Sequence, residues 1–301
     1  MLDLNSFLNP TEGLSVVQIL GISFVLGVLH GITPDEHTWP ITFSYSIGSY
    51  SSRGGMKAGF IFSLGFTSQR AILTTLGFTG MAVFFKIYNL NWLIYIMVGF
   101  AMFVAGSYFL KGKFLHLPID VFLKGTHHHS TTAERIPLHE AEIKPIPVKM
   151  ALIHGFIAGW GIGAYATIIT FILAPQLPSI FYAPLAGIFF GIGTMCMQVI
   201  LGTIFASIMR IKKITETQLR YLGKFVASRT LYVGGLAFII VGALIVIAPN
   251  IDKIGISTGN LIPNLDSIGV EFVLVVGTVG IIGIISMIRG YREIRHMDNL
   301  K

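Results

Sequence analysis

Charge is scarce in this chain. Only 12% of its 301 residues are Asp, Glu, Lys or Arg, about half the share of a soluble domain, and 53% are hydrophobic. That scarcity excludes a water-soluble domain. The expected class is an all-α integral membrane protein, one transmembrane domain over residues 1–301 in contact with a lipid bilayer. Cysteine is nearly absent too. Cys196 stands alone, which excludes an internal disulfide framework and any paired-cysteine redox relay. There is no G-x4-G-K-[ST] loop, so the chain does not power itself by ATP hydrolysis. There is no H-E-x-x-H pair for an intramembrane zinc protease, and the last apolar run has no lysine for a retinal Schiff base. No enzyme is expected, and no cofactor. No Lys or Arg precedes the first apolar run, so the basic start of a cleaved signal peptide is not expected.

What is present is a series of seven apolar segments: residues 14–32, 56–85, 92–110, 149–173, 182–209, 230–248 and 270–288. Each is near the ~20 residues that a bilayer requires. Lys and Arg sort between the connections. With the N-terminus outside, eighteen fall in inner connections and the C-terminal tail, two (Lys86 and Lys253) fall outside, and Arg70 lies within a span. This bias predicts seven spans, N-terminus out and C-terminus cytoplasmic. It also accounts for the net charge of +7 without a nucleic-acid partner.

Two stretches align without gaps. They are AGFIFSLGFTSQRAILTT at residues 58–75 and AGIFFGIGTMCMQVILGT at residues 186–203. Upstream, LHG (residues 29–31) matches IHG (153–155); downstream, VGFAMFVAG (98–106) matches GGLAFIIVG (234–242). Three matches in one order predict two three-helix repeats, residues 14–110 and 149–248, with a final helix at 270–289. An odd number of spans per repeat inverts one copy relative to the other, a plan common among transporters, with the substrate site between the copies. The repeats flank a polar loop, residues 111–148, expected on the cytoplasmic side. After the fifth span, RIKKITETQLRYLGKFVASR reads as a basic amphipathic helix on the inner surface.

Against this apolar background one stretch is anomalous. Within VLHGITPDEHTWP, His30, Asp35, Glu36 and His37 fall in eight residues. Ionisable groups at membrane depth are costly and mark function by default. The same stretch carries a helix-start pattern: Thr33 as N-cap, Pro34 at the first position, Glu36 as capping-box acid. A helix ending near Gly31 and a new one starting at Thr33 are therefore expected. Glu36 has two roles open to it, cap or ligand, with the cap favoured. In an unbroken helix, His30 and His37 would lie about 10 Å apart along the axis. A break at this point brings the rings together. Two imidazoles and a carboxylate suit a borderline first-row divalent cation.

Further candidates lie elsewhere. His154 holds the position that LHG and IHG align with His30, and is either a fourth ligand across the cavity or a buried hydrogen-bonded histidine. Arg70, well inside the second span, needs a counter-charge, expected from Asp35 or Glu36; Glu271 is the other acid near membrane depth. Met195, Cys196 and Met197 read as packing residues. His127, His128, His129, His139 and His116, in or beside the polar loop, are either a solvated segment or a weak metal-collecting one.

HGITPDEH resembles the H-x4-D-H signature of the nickel/cobalt transporter family. GFIFSLGFTSQRAI looks like that family's motif FSLGHSTVV, and FFGIGTMC is a fainter echo of a later Phe-Gly-rich motif. The resemblance implies a carrier with Ni²⁺ or Co²⁺ as transported substrate, with His30, Asp35 and His37 in the metal path, in the plasma membrane of a prokaryote. The chain departs from the pattern. Glu36 is inserted between Asp and His, Phe66 replaces a histidine, and the acids of a later motif give way to GWGIGAYATIITF. The family's usual first helix, ahead of the signature, is missing. The alternative reading is an exporter of a small anion such as sulfite, with Arg70 as counter-charge. A homo-oligomer is compatible with either.

Overall fold

The computed structural model describes residues 4–88, 90–110, 147, 149–208 and 214–298. Among these residues the structure is all-α apart from one short hairpin. The helices are α1 (Leu4–Leu8), α2 (Val16–Ile32), α3 (Trp39–Ile47), α4 (Ser52–Phe78), α5 (Val83–Ile87), α6 (Asn91–Leu110), α7 (Lys149–Ala158), α8 (Ala164–Thr167), α9 (Ala183–Ile208), α10 (Glu216–Ile247), α11 (Val270–Val275) and α12 (Gly283–Asp298). α8 runs on through a π-helical stretch, Ile168–Leu173, and a 3-10 turn, Ala174–Gln176; a second π-helical stretch, Val276–Ile282, joins α11 to α12. The hairpin pairs β1 (Gly255–Ser257) with β2 (Ser267–Gly269).

Among the described residues, four helical stretches are long and apolar enough to cross a membrane: Asn91–Leu110, Ala183–Ile208, Glu216–Ile247 and Val270–His296. Their outward faces carry exposed apolar side chains such as Phe100, Ile192, Ile240 and Ile284. Lipid is the solvent that such faces fit. The chain is therefore consistent with a multi-pass membrane protein. α4 is as long but differently made: Ser63, Gln69, Arg70 and Thr74 are all buried against its neighbours.

Several expected boundaries move. The second apolar segment ends its helix at Phe78, because Gly80 takes a positive φ of 77° and turns the chain into α5. The fourth is broken after Ala158 and restarts at Ala164. The surface helix expected after the fifth span is instead the first part of α10. That helix starts at Glu216 behind a Thr215–Gln218 capping box and runs unbroken to Ile247. The histidine-containing loop lies outside the described residues.

α4 and α9 make the largest interface, with α2 packed on α9 and α7 on α4; α6 and α10 form a second pair. Small residues let these backbones approach closely. The contacts are reciprocal. Gly59 leaves room only for the Gln198 carbonyl, and Gly187 only for that of Arg70. In the sequence alignment Gly59 pairs with Gly187 and Arg70 with Gln198. Gly106 packs on the backbone of Tyr232 and Gly242 on that of Ile96, again aligned partners. Gly27 packs on Phe190 and Gly155 on Phe62. Phe62 aligns with Phe190, so Gly27 is the counterpart of Gly155.

Candidate functional site

α2 ends where proline dictates. Pro34 forces the preceding residue out of helical geometry, and Thr33 is extended, with φ −76° and ψ 146°. Its hydroxyl donates back to the carbonyls of Leu29 (2.9 Å) and His30 (3.3 Å). A Thr33 spent on α2 does not cap a following helix, and the next helix begins only at Trp39, with Pro40 in its first turn. Between them lies a turn built on Asp35. One carboxylate oxygen accepts from the His37 N–H at 3.0 Å, and the Asp35 carbonyl accepts from Trp39 N–H at 3.0 Å. The break is where the sequence placed it, but the capping role expected of Glu36 is not the one it takes.

Released from capping, the Glu36 carboxylate turns inward. Its Oε1 accepts from the His37 Nδ1 at 2.8 Å and from the Tyr95 hydroxyl of α6 at 3.3 Å. With Nδ1 donating, the tautomer leaves the His37 Nε2 lone pair free, and Nε2 is buried without a hydrogen-bond partner. The ring is steadied by Tyr95 (centroids 5.2 Å apart) and by Phe238 edge-on (6.2 Å). A carboxylate that orients an imidazole is a recurrent arrangement behind metal-binding histidines.

His30 lies between Phe66 and Phe190, with ring centroids 5.4 and 5.3 Å away. Its Nδ1 is 3.7 Å from the second Asp35 oxygen, too far for a hydrogen bond, and its Nε2 is buried without a partner. Asp35, Glu36 and His37 can each present one ligand atom, all within 4.8 Å of one another. That spread is slightly wider than the ~4.2 Å between opposite ligands of an ion with ~2.1 Å bonds.

These groups line a cavity of about 30 Å³ together with Arg70, Phe66, Tyr165, Asn264, Glu271 and the backbone of the second break, Gly161 and Gly163. Gly161 approaches closely: a Cβ there would lie 3.2 Å from the His37 ring, which would have to give by a few tenths of an ångström. The hairpin's loop reaches the cavity through Asn264. The Asn264 amide donates to the Thr33 hydroxyl at 3.3 Å, and the Tyr165 hydroxyl donates to the Pro263 carbonyl at 3.3 Å. Glu271, like Gly163, is an exposed member of the lining.

Two expectations fail geometrically. Arg70 makes no ion pair with a carboxylate among the described residues. Its Nη2 donates to the Gly161 carbonyl at 3.0 Å, and its guanidinium carbon sits 4.7 Å from the Phe66 ring centre and 5.6 Å from that of Phe190. His154 is buried against Tyr45, whose hydroxyl is 2.8 Å from its Nδ1, and does not line the cavity. The glycine contacts give the reason. With Gly27 opposite Gly155, the counterpart of His30 is Ala158, one helical turn beyond His154, and Ala158 does line the cavity. Tyr95 and Asn264 went unnoticed in the sequence, each being remote from the motif, and Gly161 was visible only as part of a Gly-rich stretch without acids. Glu271 was visible only as an acid at the edge of the last span.

No family model matches the chain, no curated protein matches it, and no solved structure matches it.

Proposed function

We propose that the chain is a secondary carrier moving a divalent first-row transition-metal cation, Ni²⁺ or Co²⁺ foremost, across the plasma membrane of a prokaryote. The supporting observation is the charge around the cavity. Three carboxylates (Asp35, Glu36 and Glu271) face one guanidinium (Arg70), so with neutral imidazoles the lining carries −2. A divalent cation neutralises that charge inside a low-dielectric bundle. The His37 and His30 Nε2 atoms supply the nitrogen that selects a borderline ion over magnesium or calcium. Asp35 and His37 would hold the cargo, with His30 beside them and Glu36 orienting His37.

The cavity lies where the broken element α2–α3 meets the broken element α7–α8. Interrupted helices at a repeat interface are the usual setting of a carrier's site. The reciprocal glycine contacts support two inverted three-helix repeats. With the final helix these give seven spans, N-terminus outside and C-terminus cytoplasmic. A membrane potential of 100 mV supplies about 4.6 kcal/mol for a divalent cation moving inward.

One observation favours a second reading, anion export: Nε and Nη1 of Arg70 have no partner. The three carboxylates weigh against an anion entering alone. Titration of purified protein with Co²⁺ separates the two. Cation binding gives ligand-field absorption bands with wild type that are lost in His37→Ala. Folded wild type with no bands at millimolar Co²⁺ would refute the cation reading.

A further inference from the structure

We propose that Arg70 holds a small monovalent anion of chloride size, bound beside the cargo cation. The inference rests on the cation reading above and adds a second ligand to the same cavity. Arg70 is 3% exposed, yet Nε and Nη1 find no hydrogen-bond partner. A guanidinium offers five donors, and leaving charged donors unmet in a buried site costs more than leaving neutral ones. The side chain is held in place on its other sides. Phe66 and Phe190 flank it, and Nη2 is fixed on the Gly161 carbonyl.

The charge count tolerates this ligand. The lining carries −2, so a divalent cation brings it to zero and one monovalent anion beside Arg70 leaves −1, still less than the empty cavity carries. The cation offsets the repulsion that the carboxylates exert on the anion. Size narrows the choice. The cavity of about 30 Å³ has room for about two water-sized species. A metal ion beside a halide is the ion pair closest to that size.

The test measures Co²⁺ affinity of the full chain in detergent, in chloride and in gluconate at equal ionic strength, for wild type and Arg70→Met. Wild type is expected to bind about tenfold tighter or more in chloride, and Arg70→Met to lose that difference. Should Arg70→Met fail to fold, Arg70→Lys, which keeps the charge but not the Nε and Nη1 donors, takes its place and is expected to lose most of the difference. Equal Co²⁺ affinity in both anions means that water alone satisfies Arg70; it overturns the anion site and leaves the cation reading standing. Chloride dependence that survives in folded Arg70→Met places the anion elsewhere and also overturns it. No Co²⁺ binding in either anion refutes both readings together.

Discussion

Glu36→Gln isolates the role that the structure gives to Glu36. In the wild type this carboxylate accepts from the His37 Nδ1 at 2.8 Å and from Tyr95 at 3.3 Å, and so fixes which ring nitrogen is free. Glutamine keeps the shape and one accepting oxygen but removes the charge. Replacing such an orienting partner typically lowers metal affinity 10–100-fold, about 1.4–2.7 kcal/mol. The fold should be little affected, because Glu36 caps no helix and α3 starts without a side-chain cap. The assay is calorimetric titration with Co²⁺ beside a melting curve in the same detergent. A tenfold to hundredfold loss of affinity at an unchanged melting temperature is expected. An unchanged affinity would refute the orienting role, and a large loss of stability would return Glu36 to the structural role suggested by its sequence context.

Other expectations are independent of that one. Gly59→Ala and Gly187→Ala should destabilise by similar amounts, about 1–3 kcal/mol each, because each Cβ overpacks an aligned carbonyl; thermal melts of the two variants compare them directly. A loss at only one of the two would contradict the reciprocity of the repeats. Tyr45→Phe should cost about 1–3 kcal/mol by stranding the His154 nitrogen, yet leave Co²⁺ affinity as in wild type. In a Cys196→Ala background, a single cysteine at Arg292 should react with impermeant maleimide only when the reagent has access to the cytoplasmic face.

The break in the first span was legible because proline and a polar cluster interrupt an apolar run, and Pro34 alone fixes where α2 ends. The restart was not legible. The pattern Thr-x-x-Glu is shared by a helix start and by a Thr33 that bonds back to Leu29 and His30, and only the carbonyls' positions distinguish them. The repeat was legible in its glycines, since close backbone approach constrains residue size. The tripeptides LHG and IHG, however, drew His154 one turn out of step, because three residues carry less register information than the packing of Gly27 and Gly155. Arg70 was legible as a buried cation. Of its actual partners, Phe66 stands one turn away on the same helix, but the Gly161 carbonyl and the Phe190 face come from distant parts of the chain and leave no local trace. Glu271 reaches the cavity because the hairpin brings the start of α11 back over the first break.

The most direct test of a cation carrier is flux into proteoliposomes. Ni²⁺ and Co²⁺ uptake would be followed with an entrapped metal-sensing dye, with Mg²⁺ as a hard-cation control and His37→Ala as the site control. Uptake of Ni²⁺ or Co²⁺ that Mg²⁺ does not share and that His37→Ala abolishes is the predicted result. Folded, correctly reconstituted protein that moves neither ion, or moves them equally well without His37, would contradict the account.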